Sequence, residues 1–391
     1  MDTSLKDYKK EDRRVILFIL TVVFSQGIRG ILNNMLSTSI FNYTIESFIF
    51  IIYILIVEGD RNKVNIFVDI IIFFFGILSF FINDIDTATF IRENFTIFMP
   101  MLLLIINSRN LDIKYIISKC VKILNIFMYI SLIYSLYTAF KLASFDIRLS
   151  GIVGHSLTAA WYYIIFVSLN MIYSIYVKPK KDIYIIKDIA ITLIGVIFTT
   201  GRVAMFISII LCLIYAFKCI KNRFIKFILI PLAIMLFINS NYFNEKIWQK
   251  FEYASGYGDI TNGRLLGIRE IMFYEVYPSF LLGGGIGYSN YITIYLFGTL
   301  NFENPILMFA FDYGWLITIL IILITFLIPI IKLIINKKFI ILLTFLAVYI
   351  IPYTYNGIAE TTSLFLTLIY MVYFYLMIIN NIDVSKSNIE E

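Results

Sequence analysis

The sequence predicts an all-α polytopic integral membrane protein with about twelve transmembrane helices and one large external loop. Three observations predict it. Hydrophobic residues make up 60% of the chain and charged residues only 15%, whereas soluble domains hold roughly 45–50% apolar residues. Apolar runs recur at about the twenty-residue length that crosses a bilayer as a helix. Short basic turns separate alternate runs, as the bias of Lys and Arg towards the cytoplasm requires.

The runs lie near 15–31, 39–57, 64–83, 95–107, 115–140, 157–177, 184–200, 203–220, 224–240, 305–331, 338–355 and 362–380. Charged residues precede the first, as in a signal peptide, but Ser25-Gln26-Gly27 is a poor cleavage site. The run from Val15 is therefore read as a retained span. The fourth run is short and reads as a tilted or broken helix. The run from Pro305 is long enough to begin as an interfacial turn before Asp312. Predicted cytoplasmic turns carry Arg61 and Lys63, Arg109 and Lys114, Lys178, Lys180 and Lys181, Lys218, Lys221 and Arg223, and Lys337 and Lys338. That alternation predicts both termini inside. The spans occupy most of 391 residues, so residues 1–391 form a single membrane domain.

Two external connections are long. Residues 141–156 join spans five and six, and residues 241–304 form the large loop. The loop carries Trp248, Phe251, Tyr253, Phe273, Tyr274, Tyr277 and Phe280, enough apolar surface to fold. Leu265, Ile268, Met272 and Val276 recur at helical spacing. They predict an amphipathic interfacial helix from Arg264 to Tyr277, ended by Pro278. Gly283, Gly284, Gly285 and Gly287 form no nucleotide-binding pattern, because no strand precedes them. They read as a tight re-entry of backbone near a bound lipid or glycan.

The charges place the chemistry outside. The net charge of +6 lies mostly in cytoplasmic turns beside lipid headgroups and calls for no nucleic acid. Nine of the 32 basic residues are external, and six of these are arginines: Arg29, Arg92, Arg148, Arg202, Arg264 and Arg269. External arginines run against the inside bias, so they need another reason. Bidentate pairing with phosphate or pyrophosphate supplies one.

Each candidate has a bland alternative. Arg202 follows Thr199-Thr200-Gly201 at a tight turn that Gly201 permits. It is either a snorkelling anchor or a guanidinium aimed at a lipid-linked phosphate. Arg264 opens the loop helix, whose N-terminus already favours anions. Arg269 lies about 140° around that helix, so one straight helix does not easily aim both at a single phosphate, and Arg269 is a surface charge or an ion-pair partner. Arg148 either binds phosphate or pairs with Asp146. His155 is the chain's one histidine. It is catalytic, or it merely precedes Ser156, the expected cap of span six. Glu303 either complements a helix dipole or acts as a general base. Glu46 and Asp69 fall within spans and favour transport. Cys120, Cys212 and Cys219 have no metal-ligand or redox spacing.

The order of these motifs resembles the bacterial O-antigen ligase and O-antigen or capsular polysaccharide polymerase (Wzy-like) family. Arg148 to Ala160 looks like that family's external Arg-x-x-Gly segment, and Thr200-Gly201-Arg202 like its arginine turn. Asn262-Gly263-Arg264, Pro278 and Leu281 to Gly287 look like its loop pattern. Glu303-Asn304 followed by Asp312-Tyr313-Gly314 looks like its (His/Glu)-Asn segment. The resemblance covers roughly residues 145 to 320. It implies a GT-C-like, metal-independent membrane glycosyltransferase without cofactor, working at the outer face of the bacterial cytoplasmic membrane. The partners it implies are an undecaprenyl-diphosphate-linked oligosaccharide, membrane lipids and a chain-length regulator. It carries Arg148, Arg202 and Arg264 to the diphosphate and Glu303 to the family's (His/Glu) position; Arg269, His155 and Asn304 stand beside these as this chain's own candidate substrate-binding residues. Ligases have His where this chain has Glu303, which favours a polymerase over a ligase. A lipid-linked glycan flippase is the alternative from another class.

Overall fold

The computed structural model describes residues 111–142, 148–249, 264–285, 287–296, 304–354 and 363–382, with scattered positions within 12–19 and 70–82 and at 252 and 298. Spans one to four lie, those positions apart, outside the described residues, as do Arg29, Glu46, Asp69, Arg92 and Asp146. All regular structure among the described residues is helical.

Helix α1 spans Ile113–Lys141. Asp112 caps it, its carboxylate accepting the Tyr115 N–H at 3.1 Å. Helix α2 runs from Ser156 to Ile172 and widens into a π-type turn, Tyr173–Val177. Every residue from Ala159 to Ile172 is buried. A helix apolar all round belongs at the centre of a bundle, and α2 packs on α1, on α3 (Asp182–Thr199), on α4 (Arg202–Cys219) and on α10 (Phe339–Tyr353). Gly195 lets α3 approach α2, since a Cβ there would overlap the Tyr163 ring. The chain continues through Ile225–Leu229 into α5 (Ile230–Ile238) and ends its described part in α11 (Ser363–Ile382).

Four stretches among the described residues are long and apolar enough to cross a membrane: α1, α2 through Val177, α4, and α9 (Trp315–Ile335). The chain is thus a helical, membrane-embedded protein. Helix α3 is as long as α4 but carries Asp182, Lys187 and Asp188.

The loop has its own small core. Helix α6 (Arg264–Tyr274), the short α7 (Tyr288–Tyr291) with the π-type turn that continues it (Ile292–Leu296), and α8 (Pro305–Tyr313) bring together Ile271, Ile292, Met308 and Phe311. Phe309 and Tyr313, on the same α8, belong to the main bundle core. Helix α8 thus pins loop to bundle. Asn304 starts it, accepting the Leu307 N–H at 3.3 Å, with Pro305 at its first position.

Three expectations change here. Helix α6 ends at Tyr274, before Pro278, because Glu275 turns left-handed (φ 53°) and Val276 N–H returns to the Ile271 carbonyl. Among its described side chains Ile271 is the buried one, whereas Met272 is exposed. The long run from Pro305 divides at Gly314, whose φ of 88° and ψ of 161° suit only glycine. The crossing helix therefore begins at Trp315.

Candidate functional site

The segments that carry Arg148 and Arg202 meet at the end of the bundle where α3 turns into α4. The Leu149 N–H donates to the Phe198 carbonyl at 2.9 Å. That bond seats the segment following Arg148 four residues before Arg202. Gly151, at φ 59°, lies so close to α1 that a Cβ would overlap the Ser131 hydroxyl. A single 3-10 turn, Gly151–Val153, then leads to His155.

His155 is itself the cap of α2. Its backbone is extended, and its Nδ1 accepts the Thr158 N–H at 3.4 Å, with the Thr158 hydroxyl 3.2 Å away. Ser156, the expected cap, is instead the first helical residue. An Nδ1 that accepts an N–H carries no proton, so the neutral ring holds its proton on Nε2.

The α3–α4 turn also differs from expectation. Thr200, not Gly201, takes the left-handed backbone, at φ 53°. Gly201 is extended at φ −78°, and a Cβ there would meet Leu157 and Ala204 only at ordinary contact distance. The Thr199 hydroxyl donates to the Val196 carbonyl at 2.7 Å. Arg202 then opens α4, half-buried, where free N–H groups and the helix dipole add to its positive charge. Arg148 is exposed at the same end.

The remaining candidates divide. Arg264 is the first residue of α6, but its side chain lies outside the described residues, as does the whole of Glu303. Arg269 is exposed on α6, and Asn304 caps α8. Both belong to the loop assembly, which reaches the bundle through Phe309 and Tyr313. Among the described residues no cluster of His, Cys, Asp and Glu could hold a metal ion.

The glycine segment is held by protein. Gly284 N–H donates to the Phe311 carbonyl at 2.8 Å and Gly285 N–H to the Asp312 carbonyl at 3.1 Å. The Asp312 carboxylate accepts from the Ser289 N–H at 2.7 Å and the Ser289 hydroxyl at 3.2 Å. Burial pushes the Asp312 carboxyl up to about 7, against the pull of the Ser289 hydrogen bonds.

Sequence reasoning missed a second polar cluster. Lys180 Nζ lies 2.6 Å from Asp188 Oδ2 and also donates to Asn170 Oδ1. Tyr215 donates to the same Asp188 oxygen at 3.1 Å and meets the Ser174 hydroxyl at 2.8 Å. Asn170 Nδ2 donates to Asn125 Oδ1 at 2.8 Å. The available signal was Asp188, which with Lys187 interrupts a largely apolar span a third of the way along.

No family model matches the chain, and neither the curated proteins nor the solved structures searched contain a match.

Proposed function

We propose that this protein is a membrane glycosyltransferase that polymerises O-antigen or capsular repeat units. The donor is a glycan on undecaprenyl diphosphate, and the acceptor is a sugar hydroxyl of a second lipid-linked unit. In this reading the chain has about twelve spans in a GT-C-like arrangement. Both termini face the cytoplasm, and the arginine end opens outside the bacterial cytoplasmic membrane. A chain-length regulator is a further partner.

The observation that carries the reading is the Leu149–Phe198 hydrogen bond. It joins two arginine motifs that are far apart in sequence. As the glycosidic bond breaks, charge develops on the departing diphosphate. Arg148 and Arg202, with Arg264 from the loop helix, stabilise that charge. Glu303 takes the proton of the attacking hydroxyl, and Asn304 fixes the helix start beside it. Arg269 and His155 border the substrate, His155 by holding the first turn of α2. The diphosphate linkage supplies the energy, so no nucleotide is consumed.

A flippase reading draws on one observation, the Lys180–Asp188 pair, whose carboxylate is buried in α3 and whose ammonium is half-buried in the α2–α3 turn. The lipid-linked intermediates of a deletion strain separate the readings. Single repeat units left on the outer face support a polymerase. Long lipid-linked chains that never reach their acceptor would indicate a ligase. Units trapped on the cytoplasmic side would indicate a flippase.

A further inference from the structure

The segment Tyr277–Leu282 lies along the start of the crossing helix α9. The Trp315 N–H donates to the Ser279 carbonyl at 3.0 Å and the Leu316 N–H to the Phe280 carbonyl at 2.9 Å. These are the first two residues of α9, so the segment sits at the depth where the span begins. Its far end is fixed by the bonds from Gly284 and Gly285 to Phe311 and Asp312. From Ser279 to Gly285 the backbone is thus tied on both sides of the α8–α9 break and forms a lip.

The lip turns apolar side chains away from the protein. Tyr277 is 63% exposed, Phe280 62% and Leu281 58%. Below it, α9 exposes Ile319, Leu323, Leu327 and Ile331 at four-residue intervals, which sets them in succession along the helix. Trp315 heads that series, at the position where aromatic residues mark the membrane–water boundary. The lip's exposed side chains thus continue the lipid-facing surface of α9 at its end.

We propose that Tyr277, Phe280 and Leu281 insert into the lipid leaflet at which α9 begins. They anchor the loop at the boundary between headgroups and acyl chains. Insertion depends only on α9 crossing a bilayer, so it stands or falls apart from any glycan chemistry.

The test is a spin label at Leu281→Cys, and separately at Phe280→Cys, in the full chain in phospholipid vesicles. Cys219→Ala removes the half-buried thiol, while Cys120 and Cys212 are buried. Ile331→Cys serves as the lipid reference and Lys178→Cys as the water reference. The labels at 280 and 281 are expected to collide with oxygen more than with a water-soluble nickel complex, as at 331. Nickel contact equal to that at 178 would overturn the proposal. Shielding from both reagents would also overturn it, because protein would then cover the lip.

Discussion

Trp161 stands in for a hydrogen bond that Pro352 cannot make. Its indole N–H donates to the Val348 carbonyl at 2.7 Å. In a regular helix that carbonyl would receive the N–H of residue 352, four positions on. Pro352 lies inside α10 and has no N–H. The fully buried Trp161 of α2 therefore repairs α10 from outside. Trp161→Phe is expected to cost about 1–3 kcal/mol for the orphaned carbonyl, besides lost packing. Pro352→Ala should recover part of that cost, because the substituted residue brings its own backbone N–H. A double-mutant cycle on unfolding in mixed micelles measures the coupling, and strict additivity would refute the pairing.

The Lys180–Asp188 pair ties the end of α2 to α3 and, through Tyr215, to α4. Removing Lys180 leaves the Asp188 carboxylate buried without its ion pair, and removing Asp188 leaves the Lys180 ammonium half-buried. Asp188→Leu or Lys180→Met alone should destabilise by roughly 3–5 kcal/mol. The double variant should lose much less than the sum. If it loses the full sum, the two groups act independently.

Two glycines should respond in opposite ways. At Gly283 a Cβ would overlap the Asp312 backbone carbonyl, so Gly283→Ala must push the lip off α8. Limited proteolysis should then cut the loop faster than in the parent chain. At Gly201 the nearest atoms lie 3.5 Å from a Cβ, and the backbone is one any residue adopts. Gly201→Ala should change stability by no more than about 0.5 kcal/mol. Severe loss at Gly201 would mean that the turn needs glycine after all.

Asp312 gives the loop a pH dependence. Its carboxyl is raised to about 7 in the fold, against about 3.9 in an unfolded chain. The protonated form is favoured in the native state. Its contribution is full below the unfolded value and is lost as pH rises through about 7. Loop protection in hydrogen exchange should therefore weaken from pH 4 to pH 7, and Asp312→Asn should flatten the profile.

Much of the helix layout was legible. The predicted spans 115–140, 157–177, 184–200 and 203–220 match α1, α2 with its π-type turn, α3 and α4 to within two residues. Charged turns bracket apolar runs there, and lipid permits little else. What sequence could not supply was tertiary. Periodicity gave Met272 the inward face of α6, but the partners Ile292, Met308 and Phe311 select Ile271. Residue type pointed to Gly201 for the turn, yet Thr200 bears the left-handed backbone. Asp312 marked an interfacial turn at the head of an apolar run, and only the fold shows Ser289 bound to it. At the candidate site, spacing marked Arg148 and Arg202 singly. The bond from Leu149 to Phe198 that joins their segments has no signature in the sequence.

The central claim is that Arg202 binds the diphosphate through a bidentate guanidinium. Arg202→Lys keeps the charge and loses the fork. The decisive measurement is the glycan chain-length distribution in a strain carrying this variant, with its abundance in the membrane determined alongside. The account predicts loss of most polymer at unchanged abundance, in line with the roughly 10²–10³-fold cost of removing one transition-state donor. A parental distribution of chain lengths from Arg202→Lys would contradict it.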